Sequence, residues 1–230
     1  MNLLHGRSAA LRDLVRVPHR APRARRNRFA PALDTLEVRA LLSTLVVTNA
    51  NDSGAGSLRQ AIADASSGET IAFSSKLRGQ TITLTSGELD ISNSIKIDGL
   101  GASQLAVSGG GANRVFQINS GAVVTISGLT ITDGLATDGA GVVNQGTLTL
   151  DGSSVTSNQA NFDSDTSLVG FAGFGGGLEN LTGATLTIKD STVSDNQSVG
   201  EANFSDANGG GIANDGVLTI VDSTVSHNRQ

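Results

Sequence analysis

The sequence predicts an all-β chain: a right-handed single-stranded parallel β-helix with one short N-terminal capping helix, preceded by a disordered basic arm. Three tandem units carry that prediction. They read GAGVVNQGTLTLDGSSVTSN from Gly139 to Asn158, GGGLENLTGATLTIKDSTVSDN from Gly175 to Asn196, and GGGIANDGVLTIVDSTVSHN from Gly209 to Asn228. Their matching valines, Val155, Val193 and Val225, stand 38 and then 32 residues apart, a period that marks stacked repeat architectures. Apolar residues alternate within each unit, as in Leu148 and Leu150, Leu186 and Ile188, and Leu218 and Ile220. Period two is the signature of a strand.

Composition narrows the field. The 230 residues include 29 Gly and no Cys, so neither a disulfide framework nor a thiolate metal site is available, and packing and hydrogen bonding must hold the fold. Trp and Tyr are absent and all seven aromatics are Phe, which argues against an aromatic-lined cleft for sugars or bases. No stretch approaches the ~20 apolar residues of a membrane-spanning helix.

The net charge of -5 conceals two segments of opposite sign, since residues 1–40 carry nine Arg against Asp13, Asp34 and Glu37, while the remainder is strongly acidic. All three prolines lie before residue 40 and 28 of the 29 glycines after it. The division is therefore an arm, 1–43, and a β-helix domain, 44–230. The arm has too little apolar surface to offset the entropy of ordering and reads as disordered. Its charge suits a targeting segment, a solvated tail or an anionic partner. Targeting is favoured because Leu36 to Ser43, LEVRALLS, resembles the LEPR-XLL motif near the N-termini of large bacterial surface and secreted proteins, with Val38 where that motif has Pro. No nucleic-acid partner is expected.

The stack is expected to begin at Thr44. Between Leu45 to Asn49 and Thr70 to Phe73 lies SLRQAIADA, with Ser57 as N-cap, Gln60 closing a capping box, and Leu58, Ala61, Ile62 and Ala65 on one face. This predicts a helix near 57–66, placed to cover the open end of a solenoid. Thr81 to Gly99, Gln104 to Gly109, Arg114 to Ile118 and VVTISGLTITDG from Val123 to Gly134 read as earlier, less regular coils. A propeller blade would need more strands per repeat and tight hairpin dipeptides at matching positions. A parallel β-helix instead stacks equivalent strands of successive coils at ~4.8 Å, with right-handed crossovers. Val and Ile columns then fill the interior, Asn144, Asn180 and Asn214 form one ladder, and Asn158, Asn196 and Asn228 form another. The Gly runs from Gly175 and Gly209 supply left-handed or crowded backbone at a corner.

The run TNANDSGAGSLRQAIADA, then GETIAF, TITLTSGELDI, SIKIDG and the GGGI-N-G repeats, resembles the CSLREA-type β-helix proteins, with Gly56 where that family often has Cys. It is similar also to the polymorphic-outer-membrane-protein-like repeat proteins. The resemblance covers about residues 44 to 230. It implies a secreted or cell-surface location and a structural or adhesive role, with surface glycans or cell-surface proteins as partners.

Parallel β-helices also host polysaccharide lyases and hydrolases, so a carbohydrate-active enzyme or a glycan-binding β-helix is the alternative. A lyase needs a basic residue to abstract a proton, and from Val115 onward only Lys189 and Arg229 qualify. Inverting hydrolysis needs facing carboxylates. The best columns are Asp190 with Asp222 and Asp133 with Asp195, broken by Gly152 and Ser157 respectively and therefore read as turn residues. His227 follows Asp195 in its column and is the one His-carboxylate pairing the repeats offer. No catalytic residue is assigned. Two inserts, Gln159 to Phe174 and Gln197 to Asn208, leave the stack at the same point and should lie one above the other. Phe162, Phe171, Phe174 and Phe204 are candidates for an apolar patch that binds a partner or glycan, against the simpler reading that they anchor the loops. Asp163, Asp165 and Asp206 are candidate calcium ligands, with no other cofactor implied. The last coil, ending two residues after Asn228, should present bare strand edges to further coils or to self-association.

Overall fold

A computed structural model describes residues 43–161, 174–200 and 209–230. Apart from one helix and one short 3-10 turn at Ser75–Leu77, its regular structure is entirely β, and every strand pair is parallel. The strands form four sheets. Sheet I holds Thr44–Val47, Thr70–Phe73, Lys96–Asp98, Val123–Ser127, Thr147–Asp151, Thr185–Lys189 and Val217–Val221 in that spatial order. Sheet II runs through Gln80–Thr83, Leu105–Ser108, Thr130–Thr132, Ser154–Thr156, Thr192–Ser194 and Thr224–Ser226. Sheet III contains Leu89–Ile91, Phe116–Ile118, Val142–Asn144, Leu178–Asn180 and Ile212–Asn214. Sheet IV is made of Leu135–Ala136, Gln159–Asn161 and Gln197–Val199.

Chain order visits the sheets cyclically. Val142–Asn144 in sheet III leads to Thr147–Asp151 in sheet I, Ser154–Thr156 in sheet II and Gln159–Asn161 in sheet IV, and the next unit retraces that path. Equivalent residues meet directly: Val155 registers with Val193, and Val193 with Val225. In sheet I, Leu148 lies beside Leu186 and Leu150 beside Ile188. No sheet closes into a barrel, and the arrangement is compatible with a β-helix.

Alternation decides which side chains face inward. Val124, Ile126, Leu148, Leu150, Leu186 and Ile188 are all buried, while the Thr residues between them are only partly so. Sheets II and III add Ile131, Val155, Val193, Phe116, Ile118, Val142 and Leu178 to the same continuous core. The parallel strands thus bury one face inside the stack without the covering helices that open parallel sheets require.

The helix forms at Leu58–Asp64 with Ser57 as N-cap, the Gln60 N–H donating to Ser57 Oγ at 3.1 Å. Leu58, Ala61, Ile62 and Ala65 are buried together with Val47 and Ile71, as the one-faced pattern requires. The capping box is not closed. The Ser57 N–H donates to the carbonyl of Gly54 and the Gln60 amide turns instead to Asp64 Oδ1 at 2.8 Å. Arg59 clamps the helix to the coil beneath: its guanidinium donates to Asp52 Oδ1 at 2.8 Å and to the carbonyls of Gly87 and Glu88 at 2.6 and 2.7 Å. The Asp52 carboxyl is held at about 2 because the hydrogen bonds of Ser86, Arg59 and Thr85 outweigh the desolvation that would raise it.

Both inserts begin inside the stack. Gln159, Ala160 and Asn161 pair with Gln197, Ser198 and Val199, so the stems lie one above the other. The fourth sheet was invisible in the sequence because these short segments carry no apolar alternation.

Candidate functional site

The two asparagine columns occupy the corners that the repeats implied. Asn144 Nδ2 donates to Asn180 Oδ1 at 2.7 Å, and Asn180 Nδ2 to Asn214 Oδ1 at 2.7 Å. In the second ladder Asn158 Nδ2 donates to Asn196 Oδ1 at 2.9 Å and Asn196 Nδ2 to Asn228 Oδ1 at 3.0 Å. The backbone joins in, with Asn158 N–H donating to Asn196 Oδ1 and Asn196 N–H to Asn228 Oδ1. Asn144, Asn158, Asn180 and Asn196 are buried, so these amides satisfy turns that water does not reach. A serine column escaped the sequence reading. Ser153 N–H donates to Ser191 Oγ at 3.0 Å and Ser191 N–H to Ser223 Oγ at 3.1 Å. The matching Ser at one offset in each unit was the available signal, masked by how common Ser is throughout.

The acidic columns have a backbone explanation. Asp133, Ser157, Asp195 and His227, each immediately after a sheet II strand, have φ of 50, 57, 56 and 55°. Gly128, Gly152, Asp190 and Asp222, each immediately after a sheet I strand, have φ of 59, 57, 49 and 47°. Asp is among the few side chains that tolerate left-handed backbone. These positions therefore hold Gly, Asp, Ser or His for the corner they turn, and among the described residues no hydrogen bond or ion pair joins Asp195 to His227. The Gly runs show the same demand. Gly175 and Gly209 are left-handed, with φ of 62 and 61°, and a Cβ at Gly211 would lie 2.6 Å from Asn228 Cγ.

Charged groups do gather on the outer face of sheet III. Arg114 donates to Glu88 Oε2 at 2.6 Å, to Gln117 Oε1 at 3.3 Å, and to the carboxylate and carbonyl of Asp138. The guanidinium is thus enclosed by acceptors and is not an available base. Two coils along the same outward column, following Gln117 and Val143, stands Glu179. It is buried, and among the described residues its Oε2 has no hydrogen-bond partner. Burial pushes its carboxyl up to about 7; the carboxylates of Asp138 and Asp215 push the same way and Arg114 opposes them. A neutral acid carries a hydrogen-bond donor and no uncompensated charge. Sequence reasoning missed Glu179, though it is an ionisable residue at a column position where the flanking units have Val143 and Ala213.

Phe174 pairs with Asp138 by an isolated bridge, and its carbonyl accepts from Gly139 N–H at 2.7 Å. It borders a shallow depression of about 390 Å³ lined also by Gly209, Ile212, Ala213, Asn214 and Asp215. Phe162, Phe171 and Phe204, and the candidate calcium ligands Asp163, Asp165 and Asp206, lie outside the described residues. Among the described residues no helix is long and apolar enough to cross a membrane. Comparison with protein-family models, curated proteins and solved structures found no match to the chain.

Proposed function

We propose that residues 44–230 wind as a right-handed parallel β-helix of the CSLREA type and serve as a non-catalytic structural or adhesive module, secreted or held at the cell surface after export directed by the basic arm. Right-handedness is the general preference of parallel crossovers. One observation carries the non-catalytic reading: the polar residues that repeat along the stack have structural duties. Asn and Ser saturate corners, the acids of the turn columns occupy left-handed backbone, and Arg114 is consumed by its ion pairs. Incubation with neutral and uronate-containing polysaccharides should release neither reducing ends nor unsaturated uronates. Recovery of the protein outside the cell with residues 1–43 removed would support the export assignment.

Glu179 favours one second reading, a glycan-active site on sheet III, since a carboxyl near 7 is what a general acid requires. Sugar release that disappears in Glu179→Gln while the fold is retained would establish that reading and overturn the first.

A further inference from the structure

The polar groups outside sheet III are joined in a run of hydrogen bonds that stops short of one member. Asn119 Nδ2 donates to Asp90 Oδ1 at 2.6 Å and to Ser92 Oγ at 2.8 Å, and Gln117 Nε2 donates to Asn119 Oδ1 at 3.1 Å. Arg114 directs Nε, Nη1 and Nη2 at Asp138, Glu88 and Gln117. Those donors are spent before Glu179 is reached. Glu179 stands in the outward column Asp90, Gln117, Val143, Glu179 and Ala213, while Leu178 beside it joins the core and Asn180 the ladder. The residue is nevertheless only 7 % exposed. Gly139 crowds it, since a Cβ there would lie 3.1 Å from Glu179 Cβ. Asp138 and Asp215 flank it from the coils on either side: Asp138 is bridged to Phe174, and Asp215 N–H donates to the Asn180 carbonyl at 2.8 Å. Arg114 is the one cation that acts on Glu179, and it is already held by Glu88 and Asp138. A buried carboxyl among other carboxylates, with no donor of its own, is a costly arrangement that a positive donor would relieve.

We infer that Glu179, set between Asp138 and Asp215, is a binding site for a primary ammonium group, carried by a small linear amine or by a lysine side chain of a partner. The three acids belong to successive coils, ~4.8 Å apart along the stack, and so form a line. They do not form a cage, and among the described residues no three acidic or histidine side chains are placed to hold a metal ion. An ammonium is a compact charge with three donors, which suits one recessed oxygen better than the planar fork of a guanidinium. The depression bordered by Phe174, Ala213 and Asp215 abuts the site, Ala213 being the register partner of Glu179. The inference goes beyond the structural reading and leaves the Arg114 ion pairs that support that reading in place.

The probes are 1,4-diaminobutane and an end-blocked Ala-Lys-Ala peptide, each titrated calorimetrically into the whole chain at pH 8 and low salt. Saturable binding with one site per chain is expected. Tighter binding of the diamine makes a free amine the ligand, and tighter binding of the peptide makes it a partner's lysine. Glu179→Gln should weaken binding at least about tenfold, the loss of one charged partner, while Asp98→Asn, an exposed acid on sheet I, should leave it unchanged. Lowering the pH to 5 should also weaken it at least about tenfold, because Glu179 takes up a proton there while ordinary carboxylates stay ionised. Ala213→Lys supplies an ammonium from the neighbouring position of the column and should abolish binding of both probes without lowering the urea midpoint. Slow amide exchange at Leu148 and Leu186 shows that each variant keeps its stack, and Ala213→Lys decides the matter if Glu179→Gln does not fold. No saturable binding to the parent, equal binding by Glu179→Gln, an equal loss in Asp98→Asn, full binding at pH 5 or full binding by Ala213→Lys would each overturn the inference.

Discussion

Asn196→Ala tests whether the ladders hold the stack or merely decorate it. Asn196 is 1 % exposed, and its side chain takes part in four hydrogen bonds: from Asn158 N–H at 3.0 Å, from Asn158 Nδ2 at 2.9 Å, to the Val155 carbonyl at 3.0 Å and to Asn228 Oδ1 at 3.0 Å. Truncation leaves the buried Asn158 N–H without an acceptor, a loss of about 1–3 kcal/mol, and each remaining bond adds roughly 1 kcal/mol net. The expected total is about 4–6 kcal/mol, a large part of the ~5–15 kcal/mol available to a domain. Asn228→Ala removes the equivalent side chain from the last coil, where water replaces it, and should cost about 1 kcal/mol. Urea unfolding of the two variants beside the parent measures the difference. With a slope of about 2 kcal/mol per molar, the Asn196 variant should unfold roughly 2–3 M earlier. Equal midpoints for the two variants would refute the claim that burial makes the interior ladder structural.

The remaining predictions concern other columns and are read by the same denaturation. Val155→Ala, at a fully packed position, should cost about 2–3 kcal/mol, and Val225→Ala, 47 % exposed, less than about 1 kcal/mol; a similar loss at both would mean the valine column is not continuous core. At exposed Asp195, with φ of 56°, Gly should be tolerated within about 0.5 kcal/mol while the β-branched Asp195→Val costs about 1–2 kcal/mol, and the reverse order would remove the backbone explanation for the acidic columns. Because the Glu179 carboxyl is raised from 4.5 to about 7, the native state holds its proton more tightly than the unfolded chain. Its contribution is complete below pH 4.5 and is lost as pH climbs through 7, about 3 kcal/mol in all. Glu179→Gln should flatten that part of the stability profile, and an unchanged slope between pH 5 and 8 would show that Glu179 is solvated. Asp52 works in the opposite sense: its contribution, present above pH 3.8, should disappear as pH falls toward 2.

Much of this was legible in the residues because it depends on offsets. Leu148 and Leu150 alternate with Thr, so their facing was fixed before any neighbour was known, and the Asn residues recur at constant distances from the strands they cap. The acid columns were legible too, once Gly152 and Ser157 appeared where catalytic columns would need acids. Other features depend on what lies over a residue. Glu179 looks like an outward strand residue, and only its environment buries it and pushes its carboxyl up to about 7. Gln60 had the residue type and spacing of a capping box, but Ser57 N–H already had the Gly54 carbonyl, so the Gln60 side chain found Asp64 instead. Sheet IV consists of LA, QAN and QSV, segments whose strand character comes entirely from the coil above or below them.

The division of labour between columns explains why the chain needs both kinds. Alternation of period two forbids a one-residue slip, because every inward side chain would turn outward. A two-residue slip is another matter, since Leu148 would meet Ile188 instead of Leu186 and the core would scarcely register the change. The ladders do register it. Asn144 would lose Asn180 Oδ1, Asn158 would lose both the amide and backbone bonds it makes to Asn196, and Ser153 N–H would lose Ser191 Oγ. Several buried donors would be orphaned at once, at about 1–3 kcal/mol each. Hydrophobic columns therefore supply most of the cohesion and cannot choose between even registers, while the polar columns add less cohesion and make that choice. A variant with Asn144, Asn158, Asn180 and Asn196 all replaced by Leu should consequently keep its far-ultraviolet β signal and lose slow amide exchange in the interior strands.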